Sequence, residues 1–488
     1  MSPARLCILL ACLLATALAT PASAAGPAQG AQRIKYRFGP LHVTPGQNTI
    51  DYAPAAQGAL RPDVPGYITR FKPDLEYANG SKPSVTVLHL HHGVWLIGSE
   101  PRFAVGEEKT ITDLPDGFGY RYLPQQRWLI NYMIHNLTQT PSDVYITYTI
   151  DFVPDTAPAA ATMTAVHTKW MDVAGLRTYP VFDAKRGTGK KGRLTFPDDV
   201  PDDPAVGPAN TWTVTSPTTL VSTAGHLHPG GLSTYLTVTR GDRTRRIFTS
   251  HAKYWEPAGA VSWDVAMEGT PDDWRVALQP GDVVKLHAVY DVSKASWYES
   301  MGISPIAIID NRTQGKDPFD TTLNMKGALT HGRLKENREN SGRFTGLPNP
   351  VKTINGPGIT AVTIQDFLYG QGDLTLGGKA GRPPVIPPGG TLKFTNQDAF
   401  LPENGGIFHT ITACKLPCNG SAGIGYPLAN GPVDFDSGQL GFGPGLGTAA
   451  ANRESWTTPA TLKPGTYSYF CRVHPFMRGA FRVAKKAS

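Results

Sequence analysis

The sequence predicts an all-β protein of three successive sandwiches. Three observations carry that expectation. Period-2 segments recur along the chain, as in "VYITYTIDFV", where Ile146, Tyr148, Ile150 and Phe152 fall on one face and Thr147, Thr149 and Asp151 on the other. Gly (52) and Pro (43) make up nearly a fifth of the 488 residues and break the chain into short segments. No long stretch has helical periodicity. Comparable strands are expected at 127–137, 233–240, 282–291, 391–397 and 465–473, a spacing that suits antiparallel sandwiches.

Residues 1–24 read as a secretory signal. Arg5 supplies the positive end, Leu6 to Ala19 the apolar run, and Ala22 to Ala24 a small-residue cleavage site before Ala25. A lipoprotein signal ending at Cys12 is the rival reading. No later segment is apolar for long enough to span a bilayer as a helix. The expected location is therefore periplasmic or extracellular. Cys7 and Cys12 leave with the signal, so Cys414, Cys418 and Cys471 remain, too few for a disulfide scaffold. Lys and Arg exceed Asp and Glu by 46 − 39 = 7, but the one dense basic run, 185–193, is Gly-rich and not interleaved with aromatics. A nucleic-acid partner is not expected.

The clearest break is polar and charged, residues 330–350, closed by two prolines. About 300 mature residues precede it, too many for one sandwich. The expected division is 33–188, 189–328, a linker at 329–356, and 357–488.

The strongest local signal is "YFCRVHPFMRGAFRV". Cys471, His474 and Met477 share one short loop between strand-like segments, and His409 lies upstream. Two imidazoles, a thiolate and a thioether form the ligand set of a blue-copper site, and a short loop that holds three of them favours fast one-electron transfer. Residues 357–485 resemble the cupredoxins, amicyanin most of all, which implies a Greek-key sandwich with His409, Cys471, His474 and Met477 as ligands. Cys414 and Cys418 are four apart; a local disulfide and a reduced pair are both open.

The other histidines form a second constellation. His91 and His92 are adjacent in "HLHHGVW", His135 ends an apolar strand, His226 and His228 form His-Leu-His, and Met301 follows downstream. Three imidazoles suit a copper that changes oxidation state, and two imidazoles with a thioether favour Cu(I). In order and spacing, residues 33–325 resemble the copper type II ascorbate-dependent monooxygenases, the family of peptidylglycine alpha-hydroxylating monooxygenase and dopamine beta-monooxygenase. That resemblance implies two tandem jelly-roll sandwiches. It implies a first copper on His91, His92 and His135, and a second, catalytic copper on His226, His228 and Met301. With the blue site, three coppers per chain are expected, one type 1 and two mononuclear and non-blue.

The same resemblance implies O2 as co-substrate, an external reductant (ascorbate or a redox protein), and an unidentified small-molecule or peptide substrate. A homo-oligomer remains open. The sequence also departs from the family. Ala224 stands where the peptide hydroxylase has its carboxylate-binding Arg, Pro305 where it has a substrate-binding Tyr, and Met133 where it has a Gln. No cysteine lies between Ala25 and Thr412, so the family's disulfides are absent. Peptidylglycine is therefore not the expected substrate. A non-catalytic electron-relay or copper-handling protein is the alternative function.

His167 rivals His135 as the third ligand of the first copper, with His135 preferred for its strand context. His89 shares a face with His91 on a regular strand; a hydrogen-bonding neighbour of the ligands and a core residue are both open, with core preferred. His251, His287 and His331 are read as surface or structural. Asn136, Asn311 and Asn419 begin N-x-[ST] sequons. Adjacent strand residues point to opposite faces, so His91 and His92 can reach one ion only if the strand bulges or ends at that pair.

Overall fold

The computed structural model describes residues 30–47, 50–54, 60–98, 100–175, 179–200, 210–255, 263–337, 347–400, 406–416, 433–442 and 453–485. The signal segment, Cys418 and Asn419 lie outside the described residues. The chain is all-β, with β-sheets layered as sandwiches. Among the described residues no helix is long and apolar enough to cross a membrane.

The N-terminal sandwich packs a four-stranded sheet against a large second sheet. Its four strands run in the order Asp51–Pro54, Trp128–Asn136, Leu88–Ile97, Glu100–Gly106. Alternation gives each strand an inner face. Leu88, Leu90, Trp95 and Ile97 join Phe103, Val105, Trp128, Ile130 and Ile134 in one core. Phe71 stacks on Phe103 with ring centroids 4.2 Å apart and meets Trp95 edge-on at 4.8 Å.

The large sheet does not stop where the sequence suggests a seam near residue 188. Thr164–Asp172 pairs in parallel with Phe118–Tyr122 on one side and antiparallel with Gly302–Asp310 on the other. One ten-stranded sheet thus carries strands from both N-terminal regions. A seven-stranded sheet, including Gly231–Arg240, Arg243–Tyr254 and Val283–Asp291, completes the second layer pair. With the shared sheet, the two regions are tied by backbone hydrogen bonds as well as by their cores, so cysteine cross-links are not needed to join them.

The expected linker is packed at its start. Ala328–Leu329 extends the seven-stranded sheet, and Asn337 is buried, accepting from the Val85 amide and donating to Asp264. His331 is part-buried and bonded to the Glu108 carbonyl, which fits the structural one of its two expected roles. The C-terminal sandwich has a three-stranded sheet (Ala361–Ile364, Lys393–Asn396, Ser455–Thr457) and a four-stranded one (Val385–Ile386, Arg478–Val483, Gly465–Phe470, Thr412–Cys414).

Candidate metal centres

The loop after Gly465–Phe470 turns tightly. The Cys471 amide donates to the Met477 carbonyl at 3.3 Å, and the Met477 amide donates to the His474 carbonyl at 2.9 Å. His409, Cys471, His474 and Met477 are all buried. Cys471 Sγ lies 3.9 Å from His409 Nδ1 and 3.8 Å from His474 Nδ1, and the two nitrogens are 3.2 Å apart. A single ion about 2.0–2.3 Å from each atom fits such a triangle.

The backbone also serves the thiolate, since the amides of Thr410 and His474 donate to Sγ at 3.4 and 3.3 Å. Burial pushes the Cys471 thiol up, but the hydrogen bond and charge of His409 outweigh it and hold the thiol below its ordinary value. The His409 ring is desolvated, yet Asp398 on Nε2, 2.7 Å away, and Cys471 on the other side raise its pKa. Burial, with the charge of His409 beside it, holds His474 well below the ordinary imidazole value. Cys414 is disulfide-bonded and Cys471 is free.

The N-terminal histidines follow from one irregularity. Leu90 pairs with Ile134 and His92 with Met133, so His91 is an extra residue in its strand. The bulge shifts the alternation by one. His89 and His91 before it, and His92, Val94 and Leu96 after it, all face away from the N-terminal core. The backbone shape required for two adjacent outward rings is therefore present.

Facing the same way does not bring His91 and His92 to one point. Their ring centroids are 6.2 Å apart. His91 stacks on His135 at 4.3 Å and approaches His228 at 4.5 Å. His92 is anchored by Nε2 to Asn131 at 2.7 Å. His89, read from sequence as core, is instead a third ring of the group. It lies opposite His135 in the strand register, 5.1 Å away, and ligand atoms of His89, His91 and His135 lie within 4.8 Å of one another. His167 is elsewhere, 40% exposed and bonded to Asp310 at 2.6 Å.

The second expected set is drawn together by the second sandwich. His226 and Leu227 pair with Ile303 and Gly302, which brings the His-Leu-His segment beside Met301. The Tyr290 hydroxyl accepts from the His228 and Met301 amides at 3.1 Å and donates to the Met301 carbonyl at 2.6 Å. The His226 and His228 rings are perpendicular, 5.1 Å apart. The structure therefore joins the two expected sets into one run of imidazoles: His89, His135, His91, His228, His226.

Sequence reasoning missed Glu107 and Glu108, two buried carboxyls at the end of the neighbouring strand. Glu107 is bonded to His91 Nδ1, and Glu108 Oε2 to His226 Nδ1 at 2.9 Å. Burial and its acidic neighbour raise Glu107 well above the usual carboxylate range. Burial also works against Glu108, but His226 outweighs it and holds Glu108 low. Adjacent carboxyls after an apolar strand were the available signal. Tyr290 and Tyr179 carried none.

The site fits a cation. Burial lowers His89 and His92 to about 4 and holds His91, His135 and His228 well below the ordinary value, so the rings are neutral, the form that ligates. His89 Nε2, His228 Nε2 and Glu107 Oε2 are buried, with no hydrogen-bond partner among the described residues. Ligand atoms of His91, Glu107 and His228 lie within 4.8 Å of one another. Buried lone pairs facing each other are costly unless something positive sits among them.

Two cavities open from this run. His91, His135 and His228 line one, and its opposite wall is the C-terminal sandwich, with His474, Thr410 and Arg472. His92, His226 and Met301 line the other, a space of about 660 Å³ between the outer face of the four-stranded sheet and the segments around Ser222, Ile303 and Leu329. Val94, Leu96, Trp170 and Ile303 make much of its wall apolar. Tyr179 borders both, with its hydroxyl 3.4 Å from His91 Nε2.

No protein-family model and no curated protein matches the chain. Among solved structures it is similar to a purple cupredoxin from Nitrosopumilus maritimus, at 22% identity over 20% of this chain and 75% of that one, with a TM-score of 0.13. It is similar to a mutant amicyanin in its Cu(I) form, at 18% identity over 30% of this chain and 93% of that one, with a TM-score of 0.13. It is also similar to the copper-containing nitrite reductase of Thermus scotoductus, at 16% identity over 55% of each chain, with a TM-score of 0.17.

Proposed function

We propose that the protein is an exported copper-dependent oxidoreductase of the monooxygenase kind, with its own blue-copper electron donor. The observation that carries this reading is the shared cavity. His474, whose buried Nε2 has no hydrogen-bond partner among the described residues, opens onto the same space as His91, His135 and His228. A donor held beside its acceptor on one chain acts at high effective concentration.

His409, Cys471, His474 and Met477 would hold the blue copper. The run from His89 to His226, with His92 and Met301 at its edge, would hold two non-blue coppers. Copper there would supply one-electron redox chemistry and activate O2 for oxygen insertion into a C–H bond. The chain's own residues do the rest. Glu107 and Glu108 orient His91 and His226 through their Nδ1 atoms and leave Nε2 for ligation. The Glu299 carbonyl does the same for His228. The apolar cavity beside His92 and His226 takes the substrate and excludes water from it. Electrons enter from an external reductant.

Metal analysis with EPR tests this. Wild type should hold three coppers per chain, one blue. Cys471→Ser should lose only the blue one. One copper per chain, lost with Cys471, would refute the oxidoreductase reading. Reductant-driven O2 consumption then separates an oxygenase from a passive relay.

A further inference from the structure

We infer that Arg472 is the positioning residue that locks the blue-copper loop onto the second sandwich and thereby sets the rate of internal electron transfer. The inference rests on the copper reading above.

Arg472 directly follows the thiolate residue, and its side chain leaves its own sandwich. Nη1 donates to the Ser296 carbonyl at 2.7 Å. The guanidinium carbon lies 5.0 Å from the Trp297 ring, which borders the shared cavity. Nη2 is bonded to Asp436, and both side chains are 9% exposed. Asp436 is fixed in turn, since Oδ1 accepts from Thr412 Oγ1 at 3.0 Å and from the Gly438 amide at 3.1 Å. The Arg472 amide donates to Thr410 Oγ1 at 2.9 Å, beside Cys471. One residue therefore links the ligand loop, the C-terminal sandwich and the second sandwich through a planar, pre-organised fork.

The surrounding surface has the shape of a fixed joint. At Gly438 (φ +67°) a Cβ would lie 2.8 Å from the Tyr298 ring, and at Gly46 (φ +67°) it would lie 2.7 Å from Ile407 Cγ2. Arg186 Nη1 donates to the Val433 carbonyl at 2.6 Å. None of these contacts reaches the ligand loop as Arg472 does. With the fork in place His474 stays at the cavity wall. Without it, the loop can tilt away while its four ligands remain together.

The step is balanced by one electron. The Cys471 site is oxidised by one unit and the imidazole site is reduced by one unit, with no other reactant.

Two measurements test the inference. In fully oxidised protein, a flash-generated reductant bleaches the blue band, and its return reports transfer onward. Arg472→Ala should slow that return at least tenfold, with copper content and the position of the blue band unchanged, and Arg472→Lys should recover part of the rate. In metal-free protein, Arg472→Ala should speed hydrogen exchange at the Val473 and Trp297 amides. An unchanged return rate would overturn the inference, as would a loss or shift of the blue band, because Arg472 would then support the site itself. If wild type holds three coppers but its blue band never returns, the internal-donor reading fails. The exchange measurement still decides the clamp, and unchanged exchange overturns it.

Discussion

Asp398 Oδ2 lies 2.7 Å from His409 Nε2, on the side of the ring opposite Cys471. The same carboxylate accepts the amides of Asp366 at 2.8 Å and Phe367 at 3.1 Å. It fixes the ring's tautomer and orientation, with Nδ1 towards the sulfur, and makes the ligand more basic. Asp398→Asn keeps the shape but removes the charge. Copper affinity at the blue site should fall about 10–100-fold, the usual cost of such a partner. Competition with a chelator, read at the blue band, checks this. Unchanged affinity would mean that Asp398 only caps the Asp366 turn.

The stability of the metal-free protein should fall on acidification below about pH 6.5. Burial lowers His287 to about 4, although Asp198 lies 2.9 Å from its ring and opposes the shift. In the unfolded chain the same ring titrates near 6.5. Above 6.5 it is neutral in both states, and its contribution is full. Between 6.5 and about 4 only the unfolded chain takes the proton, so stability is lost as pH falls through that window. His89 and His92, also lowered to about 4, add in the same direction. Melting temperature measured from pH 7.5 to 4.5 should drop progressively, and His287→Gln should shallow the slope. A flat profile would refute the assignment of these rings as buried and neutral.

His228 stands where the two expected ligand sets meet, 4.5 Å from His91 and 5.1 Å from His226. On the proposed function, His228→Ala should therefore disturb both proposed non-blue coppers, lowering copper content by at least one per chain and changing the EPR of any non-blue copper that stays. The blue band should persist, since His228 belongs to another sandwich. Loss of one copper with an unperturbed second would show that the two sets act as separate sites.

What was legible in the sequence depended on distance along the chain. Cys471, His474 and Met477 share one short loop, so their proximity was legible from spacing alone. The need for a bulge at His91 and His92 followed from strand alternation alone. Which ring each histidine meets did not, because that depends on the register of separate strands. For His89 the core reading was preferred, but its cross-strand partner is His135. Glu107 and Tyr290 act through long-range packing and leave no periodic trace. The sheet shared across the seam expected near residue 188 was hidden for a similar reason. Pairing between Thr164–Asp172 and Gly302–Asp310 joins segments more than a hundred residues apart.

Gly106 has no room for an added methyl group. It pairs with His92 across the sheet. A Cβ there would lie 2.4 Å from His226 Cε1 and 2.7 Å from Glu108 Oε2. Neither neighbour is a free side-chain tip, because His226 and Glu108 are bonded to each other and both are buried. Moving the ring breaks that bond, and moving the strand disturbs the bulge that sets His91 and His92. Overpacking of this kind costs about 1–3 kcal/mol. Gly106→Ala should lower the melting temperature accordingly and displace His226, with loss of one non-blue copper and retention of the blue band. Full copper content in a stable Gly106→Ala protein would show that His226 does not hold metal where it stands.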